Sequence, residues 1–597
     1  VCMPQILINL VGSFLVATTA TIDQGLWLKS QGWGYFGPKW EGPHGKQLRA
    51  LGFAGQHIRY LPVDRAGIAV SVVNDPSVTV SPEAMAVIAP KVKAAEVSRE
   101  HHSEFQVPAP AGLSYRPYQC GGVATIVNNV KAGLPGTLIG DEMGLGKTMQ
   151  AIGAMAVLAP VNVLVLCLAS IRENWVREIT KWLPSAKPRA VQSASQLAKV
   201  SVVSYTSLQG SSDRAKDLLE AITAQTWDMI VCDEAHTLKN EASQTSKRVL
   251  GSFKRGKLES PGIVQCGKHV VILTGTPIQN KVRESLPLFR AVGLIGEGKA
   301  LGHDGQFLFR YCGPQKVNAG YKVVTTFDGS TNLQELQTRL RTSGVFVRRL
   351  KRDVAKELPP KVRSIVTTTC EGGDPCADLI PDTMQHWDTV HGLDFETASF
   401  QDISAYRAAL AVYKAPAVIE HVSNVLEELE PNGKVLVFGH HASMLDALEK
   451  AFGHMAIRID GQVNPADRLP LVDRFQNDPA IRVAILSTRA AGTGLTLTAA
   501  SVVVFGEADW NPAMCVQAED RAHRIGQEAE SVTVQYIVIE GTLDARVITV
   551  MAQKMDIADR ALDRQVAVAA APVAPEVAPA PVAPTSTSTS RTVAIRL

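Results

Sequence analysis

The sequence predicts an α/β fold: two tandem doubly wound parallel-sheet domains behind a small N-terminal domain that contains β structure. Short apolar strands alternate with helical stretches through "NVLVLCLA", "KVSVVSY", "DMIVCDE" and "HVVILTGTP", and again through "KVLVFGH", "RVAILST", "SVVVFGE" and "VTVQYIVI". A polar cluster directly follows the strand in each case. Ligand sites in such sheets lie at the carboxyl ends of the strands, so chemistry is expected there.

The N-terminal accessory domain is expected over residues 1–104. Its opening, "VCMPQILINLVGSFLVATTATID", has the apolar centre of a signal peptide but no basic start, the first lysine being Lys29. Its β-branched residues predict a strand pair. The first residue is Val, not Met, so the natural start is expected upstream. Three of the eight tryptophans lie in "WLKSQGWGYFGPKW". Trp27, Trp33 and Trp40, with Lys46 and Arg49, read either as a surface that stacks and grips exposed bases or as the core of a packed β domain.

"HHSEFQVPAPAGLSYRPYQ" leads as a linker into the first α/β domain, residues 105–350. Residues 351–414 are expected to connect it to the second, residues 415–564. Residues 565–597, rich in Ala, Pro, Thr and Ser, predict a disordered or extended tail.

Composition narrows the class. The 597 residues suffice for three or four domains, and 46% of them are hydrophobic. A net charge of +3 gives no global basic field, so contact with a nucleic acid would need local patches. Nine cysteines without a C-x-x-C pair suggest a reducing compartment and no zinc site. No apolar run predicts a membrane span, so no membrane partner is expected. The expected location is intracellular: cytoplasmic in a bacterial or viral host, nuclear in a eukaryotic one.

Three motifs carry chemistry. "GDEMGLGKT" (140–148) departs from the strict phosphate-loop pattern, which wants glycine where Asp141 stands. Its chemistry survives: Gly144 and Gly146 let backbone N–H groups face a phosphate, Lys147 neutralises charge and Thr148 offers a hydroxyl to Mg²⁺. A glycine-rich turn with an incidental lysine is the alternative. "DMIVCDEAH" sets Asp233 and Glu234 at a strand end, where Asp233 suits Mg²⁺ and Glu234 suits the activation of a water. A solvated turn is the alternative there. "QAEDRAHRIGQ" (517–527) spaces Arg521 and Arg524 to share one face of a helix, as arginine fingers or as a solvated face.

With "LTGTPIQN" and "STRAAGTGLTLT" between them, these motifs resemble those of the superfamily-two ATPases, built on two RecA-like domains. "RPYQ" (116–119), "VFVRRLKRDVAKELPPK" (345–361) and "DWNP" (509–512) are similar to the SWI/SNF-like DNA translocases. The likeness covers about residues 113–555. It points to the annealing-helicase (HARP-type) subgroup through "FLFRYCG", "VLVFGHHASMLDAL" and "IRIDG". Ala169 stands where the family often has proline, and "GSFKRGKLESPGIVQCGK" lengthens a connection that is expected to form a surface hairpin.

The resemblance implies a DNA-dependent ATPase that uses ATP and Mg²⁺. Gln119 would read adenine, with Arg116 nearby. Asp141, Gly144, Gly146, Lys147 and Thr148 would belong to the phosphate loop. Gly492, Thr493 and Gly494 would couple the second domain to nucleotide and DNA. Gln517, Arg521 and Arg524 would complete the site. DNA, duplex or branched, would meet Ser170, Asn174, Trp175, Ser204, Tyr205, Thr274 and Gly275, then Gly439, His440 and Thr488. Each of these is as easily a cap or turn residue. The implied function is a translocase that remodels or reanneals branched DNA in replication or repair. A remodeller that strips protein from DNA, and a nucleic-acid scaffold with an ATP-binding switch, are the alternatives.

Overall fold

The apolar opening folds as the expected strand pair. Ile6–Val11 runs antiparallel to Phe14–Thr18, with Leu10 opposite Leu15. The computed structural model describes residues 6–19, 22–31, 33–36, 44–53, 58–73, 75, 77–210, 212–254, 256–319, 322–368, 376, 400–488, 495–563 and 592–594. The chain divides into two compact units, Val1–Val354 with Ile557–Asp563, and Ala355–Asp556 with Arg564–Leu597.

In the first unit, a five-stranded sheet has the spatial order Gly34–Phe36, Ile58–Pro62, Phe14–Thr18, Ile6–Val11, Val78–Val80. Trp33 is buried in its core with Ile8, Leu15, Leu28 and Leu61. For this tryptophan the packed-core reading therefore holds. The side chains of Trp27 and Trp40 lie outside the described residues. Lys46 is exposed. Helix Pro82–Val97, capped by Ser81, turns Ala84 and Ile88 into the same core.

The second sheet of this unit is wholly parallel, in the order Phe346–Val347, Gly136–Ile139, Val270–Leu273, Met229–Asp233, Val163–Cys167, Val200–Ser204, Arg189–Val191. Helices cover both faces, so its central strands read as near-continuous apolar runs rather than alternating ones. Along Val163–Cys167 the side chains alternate between two cores: Leu164 and Leu166 on one side, Val163, Val165 and Cys167 on the other. Each such aliphatic side chain contributes about 2 kcal/mol on burial. The expected surface hairpin is present as Ser252–Lys254 paired with Lys257–Ser260.

The second unit has its own seven-stranded sheet: Ala456–Ile459, Val483–Ser487, Lys434–Gly439, Ala500–Phe505, Val532–Ile539, Lys361–Thr368, Thr592–Ala594. Two boundaries differ from expectation. Lys361–Thr368 pairs parallel with Val532–Ile539 along eight residues, so part of the expected connecting segment belongs to this sheet. Ile557–Asp563, expected within the second domain, belongs to the first unit, where Ala561 and Leu562 enter the core. Of the expected tail, Thr592–Ala594 is a strand antiparallel to Lys361–Thr368, and the rest lies outside the described residues.

Candidate active site

The phosphate loop joins strand Gly136–Ile139 to helix Lys147–Leu158. Gly144 and Gly146 have φ of 83° and 74°, the left-handed region that side chains resist. At Gly146 there is a second requirement, because a Cβ there would come within 2.4 Å of the Gln119 amide nitrogen. Gln119 is braced across this gap. Its Nε2 donates to Leu145 O at 3.2 Å, and its Oε1 accepts the Arg116 N–H at 3.0 Å. Lys147 Nζ donates to Asp141 O at 2.9 Å. No side chain caps the first turn of the helix, and its N–H groups and dipole favour an anion.

Asp141 has another occupation than the one expected of it. Its carboxylate is fully buried, accepting Arg349 N–H at 2.9 Å, Arg349 Nη1 at 3.0 Å and Gln150 Nε2 at 2.8 Å. The side chain therefore anchors the loop to "FVRRL", while the backbone carbonyl holds Lys147. Arg348 works beside it, donating to Gly140 O at 2.7 Å and to Gly275 O at 2.9 Å. These two arginines were family markers in the sequence but had no place in the expected site.

Asp233 ends strand Met229–Asp233 inside the core, and Glu234 follows with φ of 46°, a strained turn that re-aims its carboxylate. Asp233 Oδ2 accepts the Trp175 indole N–H at 2.7 Å, and Asp233 O accepts the Tyr205 hydroxyl at 2.8 Å. Burial, reinforced by Glu234, pushes the Asp233 carboxyl up to about 6. Burial lowers Lys147, while Glu234, Asp141 and Asp233 pull it back up. His236 Nδ1 lies 3.2 Å from Glu234 Oε2 and 3.4 Å from Thr274 Oγ1, linking the catalytic candidate to "LTGTP".

The expected DNA contacts divide. Ser170 is half-buried and Asn174 exposed, as a contact surface needs. The Trp175 and Tyr205 side chains are corrected: both are buried and committed to Asp233. Ser204 is buried too, and its Oγ caps the turn Tyr205–Leu208 by accepting Ser207 N–H at 3.2 Å. Thr274 is fully buried, and Gly275 packs against the phosphate loop; a Cβ on it would stand 3.2 Å from Lys147 Nζ. Gly275 therefore sits beside the phosphate loop, and Thr274 beside His236.

Within the second unit, helix Pro512–Glu519 buries Gln517 and stops before the arginine pair. Arg521 and Arg524 follow in turns, which corrects the expectation of one helix face. They still converge: each Nη1 points to Leu495 O at 3.4 Å. Glu519 fixes the end of the helix, held by Lys361 at 2.8 Å and by Arg363 at 2.6 Å. Thr488 is buried and donates to Gly439 O at 3.2 Å, while His440 N–H donates to Glu507 at 2.8 Å. Gly492, Thr493 and Gly494 lie outside the described residues.

Mg²⁺ fits the first unit's residues by their chemistry. Thr148 and Asp233 are hard oxygen donors, and a buried carboxylate raised by its anionic neighbour gains from a cation. No helix among the described residues is long and apolar enough to cross a membrane.

Comparisons with known proteins find two domains in the chain. Residues 118–372 match the SNF2-related domain and residues 417–526 the helicase conserved C-terminal domain. The human DNA annealing helicase and endonuclease ZRANB3 is 35% identical over 423 residues, 68% of this chain and 37% of that protein. The Caenorhabditis elegans SWI/SNF-related matrix-associated actin-dependent regulator of chromatin subfamily A-like protein 1 homolog is 33% identical over 435 residues, 70% of this chain and 58% of that protein. Its Xenopus tropicalis counterpart is 32% identical over 471 residues, 76% and 46% respectively. The chain thus spans between 37% and 58% of these relatives' own length.

Proposed function

Since the chain belongs to the SNF2-related family of superfamily-two helicases, we propose that it is an ATP-dependent DNA translocase that remodels or reanneals branched DNA. One observation carries the ATPase half: a glycine-turned phosphate loop with its lysine follows strand Gly136–Ile139, and the acid pair Asp233 and Glu234 ends a parallel strand one place removed in the same sheet, where their charges act on Lys147. The DNA half rests on relatives whose names describe annealing of DNA.

In this reading the loop N–H groups and Lys147 bind the phosphates, and Gln119 reads the adenine edge. Glu234 orients the attacking water and takes its proton. Thr148 and Asp233 would hold Mg²⁺, which neutralises phosphate charge when bound. Neutralising charge on the transferred phosphoryl group is the role assigned to Arg521 and Arg524. Polar groups beyond the strand ends, the half-buried Ser170 and the exposed Asn174 among them, bind DNA phosphates without reading bases, so the motor is indifferent to sequence and sensitive to salt.

The test is ATP turnover by the protein alone and with single-stranded, duplex and forked DNA, with Lys147→Ala as control. Strong stimulation by forked DNA supports the proposal. Equal stimulation by plain duplex favours a general translocase, and turnover that no DNA changes overturns the DNA half.

A further inference from the structure

Two surface segments of the first unit share one design. In helix Arg172–Trp182, Asn174 is exposed and its neighbour Trp175 is only 1% exposed. In the turn Tyr205–Leu208, Thr206 is exposed and its neighbour Tyr205 is only 3% exposed. Both aromatics end on the same residue. Trp175 Nε1 reaches the Asp233 carboxylate at 2.7 Å, and the Tyr205 hydroxyl reaches the Asp233 carbonyl at 2.8 Å. Thus Asp233 is held from its side chain and its backbone by the buried ends of two segments whose outer ends face solvent.

A core aromatic needs only to find some acceptor for its polar atom. Two of them, from separate segments and both ending on the one residue whose carboxylate suits Mg²⁺, form a more specific arrangement. Packed interiors transmit displacement because they have no slack. A phosphate backbone seated on Asn174 and Thr206 would move the rigid segments beneath it, and with them the two hydrogen bonds that aim Asp233.

We propose that Trp175 and Tyr205 are positioning residues that couple occupancy of this outer surface by a nucleic-acid backbone to the way Asp233 holds Mg²⁺. The proposal rests on the function given above and deepens it. Neither aromatic touches the nucleic acid or the nucleotide. Each carries a change in position between them.

The test uses the full chain with Tyr205→Phe, which keeps the ring, and Trp175→Phe, which keeps a smaller aromatic ring; each removes one hydrogen bond. Trp182→Phe is the control, because Trp182 lies on the same helix but packs on Tyr115, with ring centroids 4.7 Å apart. ADP binding is measured by calorimetry against Mg²⁺ concentration, and ATP turnover against forked-DNA concentration.

The Mg²⁺ needed for half-maximal ADP binding should rise about tenfold in Trp175→Phe, the worth of a hydrogen bond to a charged group. A smaller rise is expected in Tyr205→Phe, and none in Trp182→Phe. Both test variants should lose most of the maximal DNA stimulation, while the DNA concentration for half-stimulation stays unchanged.

Three results would overturn the proposal. One is an unchanged Mg²⁺ requirement with full stimulation. Another is a raised DNA half-saturation with full maximal stimulation, the mark of direct contact. The third is an equal loss in Trp182→Phe. A wild type that no DNA stimulates removes the proposed function and the coupling with it, while ADP binding still decides whether Trp175 positions Asp233.

Discussion

Arg348 and Asp563 meet fork to fork, Nε to Oδ1 and Nη2 to Oδ2, both at 2.6 Å, across 215 residues of sequence. The pair is buried, and the same guanidinium holds Gly140 O and Gly275 O. One side chain therefore ties the start of the phosphate loop, the "LTGTP" loop and the end of helix Leu543–Leu562 into a single unit.

Removing Asp563 leaves a buried guanidinium short of its counter-charge. Asp563→Ala should lower stability by about 3 kcal/mol, read by urea unfolding. Arg348→Ala should cost more than loss of this pair, because it also frees two carbonyls. The double variant should cost clearly less than the sum of the two.

Glu234→Gln keeps the shape of the side chain and removes its basicity. Turnover should fall by about 10²-fold or more, the usual worth of a general base, with ADP affinity within about threefold of the wild type. Single-turnover hydrolysis and calorimetry separate the two. An equal loss of affinity would reassign Glu234 to binding.

Gly146→Ala combines a left-handed φ of 74° with a Cβ 2.4 Å from the Gln119 amide. Gly112→Ala shares the strain, at φ of 79°, but opens onto empty space. Each should pay about 1 kcal/mol of backbone strain. Only Gly146→Ala should also weaken nucleotide binding, and Gln119→Ala should relieve that second defect in stability but not in affinity.

Glu519 supplies a pH signature. Burial alone would raise its carboxyl, but Lys361 and Arg363 outweigh burial and hold it at about 2. The folded value lies below the unfolded one of about 4.5. Its stabilisation is therefore full above pH about 4.5 and is lost as pH falls toward 2. Glu519→Gln should be about 2–3 kcal/mol less stable than the wild type at pH 7, with the gap closing below pH 4 in urea titrations.

The local features of the site were legible in the sequence because short spacing determines them. Two glycines around Leu145 can serve a tight turn wherever the loop lies, and "DMIVCDE" puts its acids at a strand end by length and apolarity. Arg521 and Arg524 mark the limit. Their three-residue spacing predicted a helix face, yet the helix ends at Glu519, where Lys361 and Arg363 hold that carboxylate. Nothing near Arg521 in the sequence announces those partners.

By itself, then, the sequence determined the two parallel sheets, the phosphate-binding turn and the order of the acidic and basic motifs, since apolar periodicity and turn chemistry act over a few residues. Only the tertiary structure decided which way the polar groups face. It turned Asp141 to Arg349 across 208 residues and Trp175 to Asp233 across 58. A buried polar atom must find a partner wherever the fold brings one within hydrogen-bond distance, and chain spacing does not encode that distance.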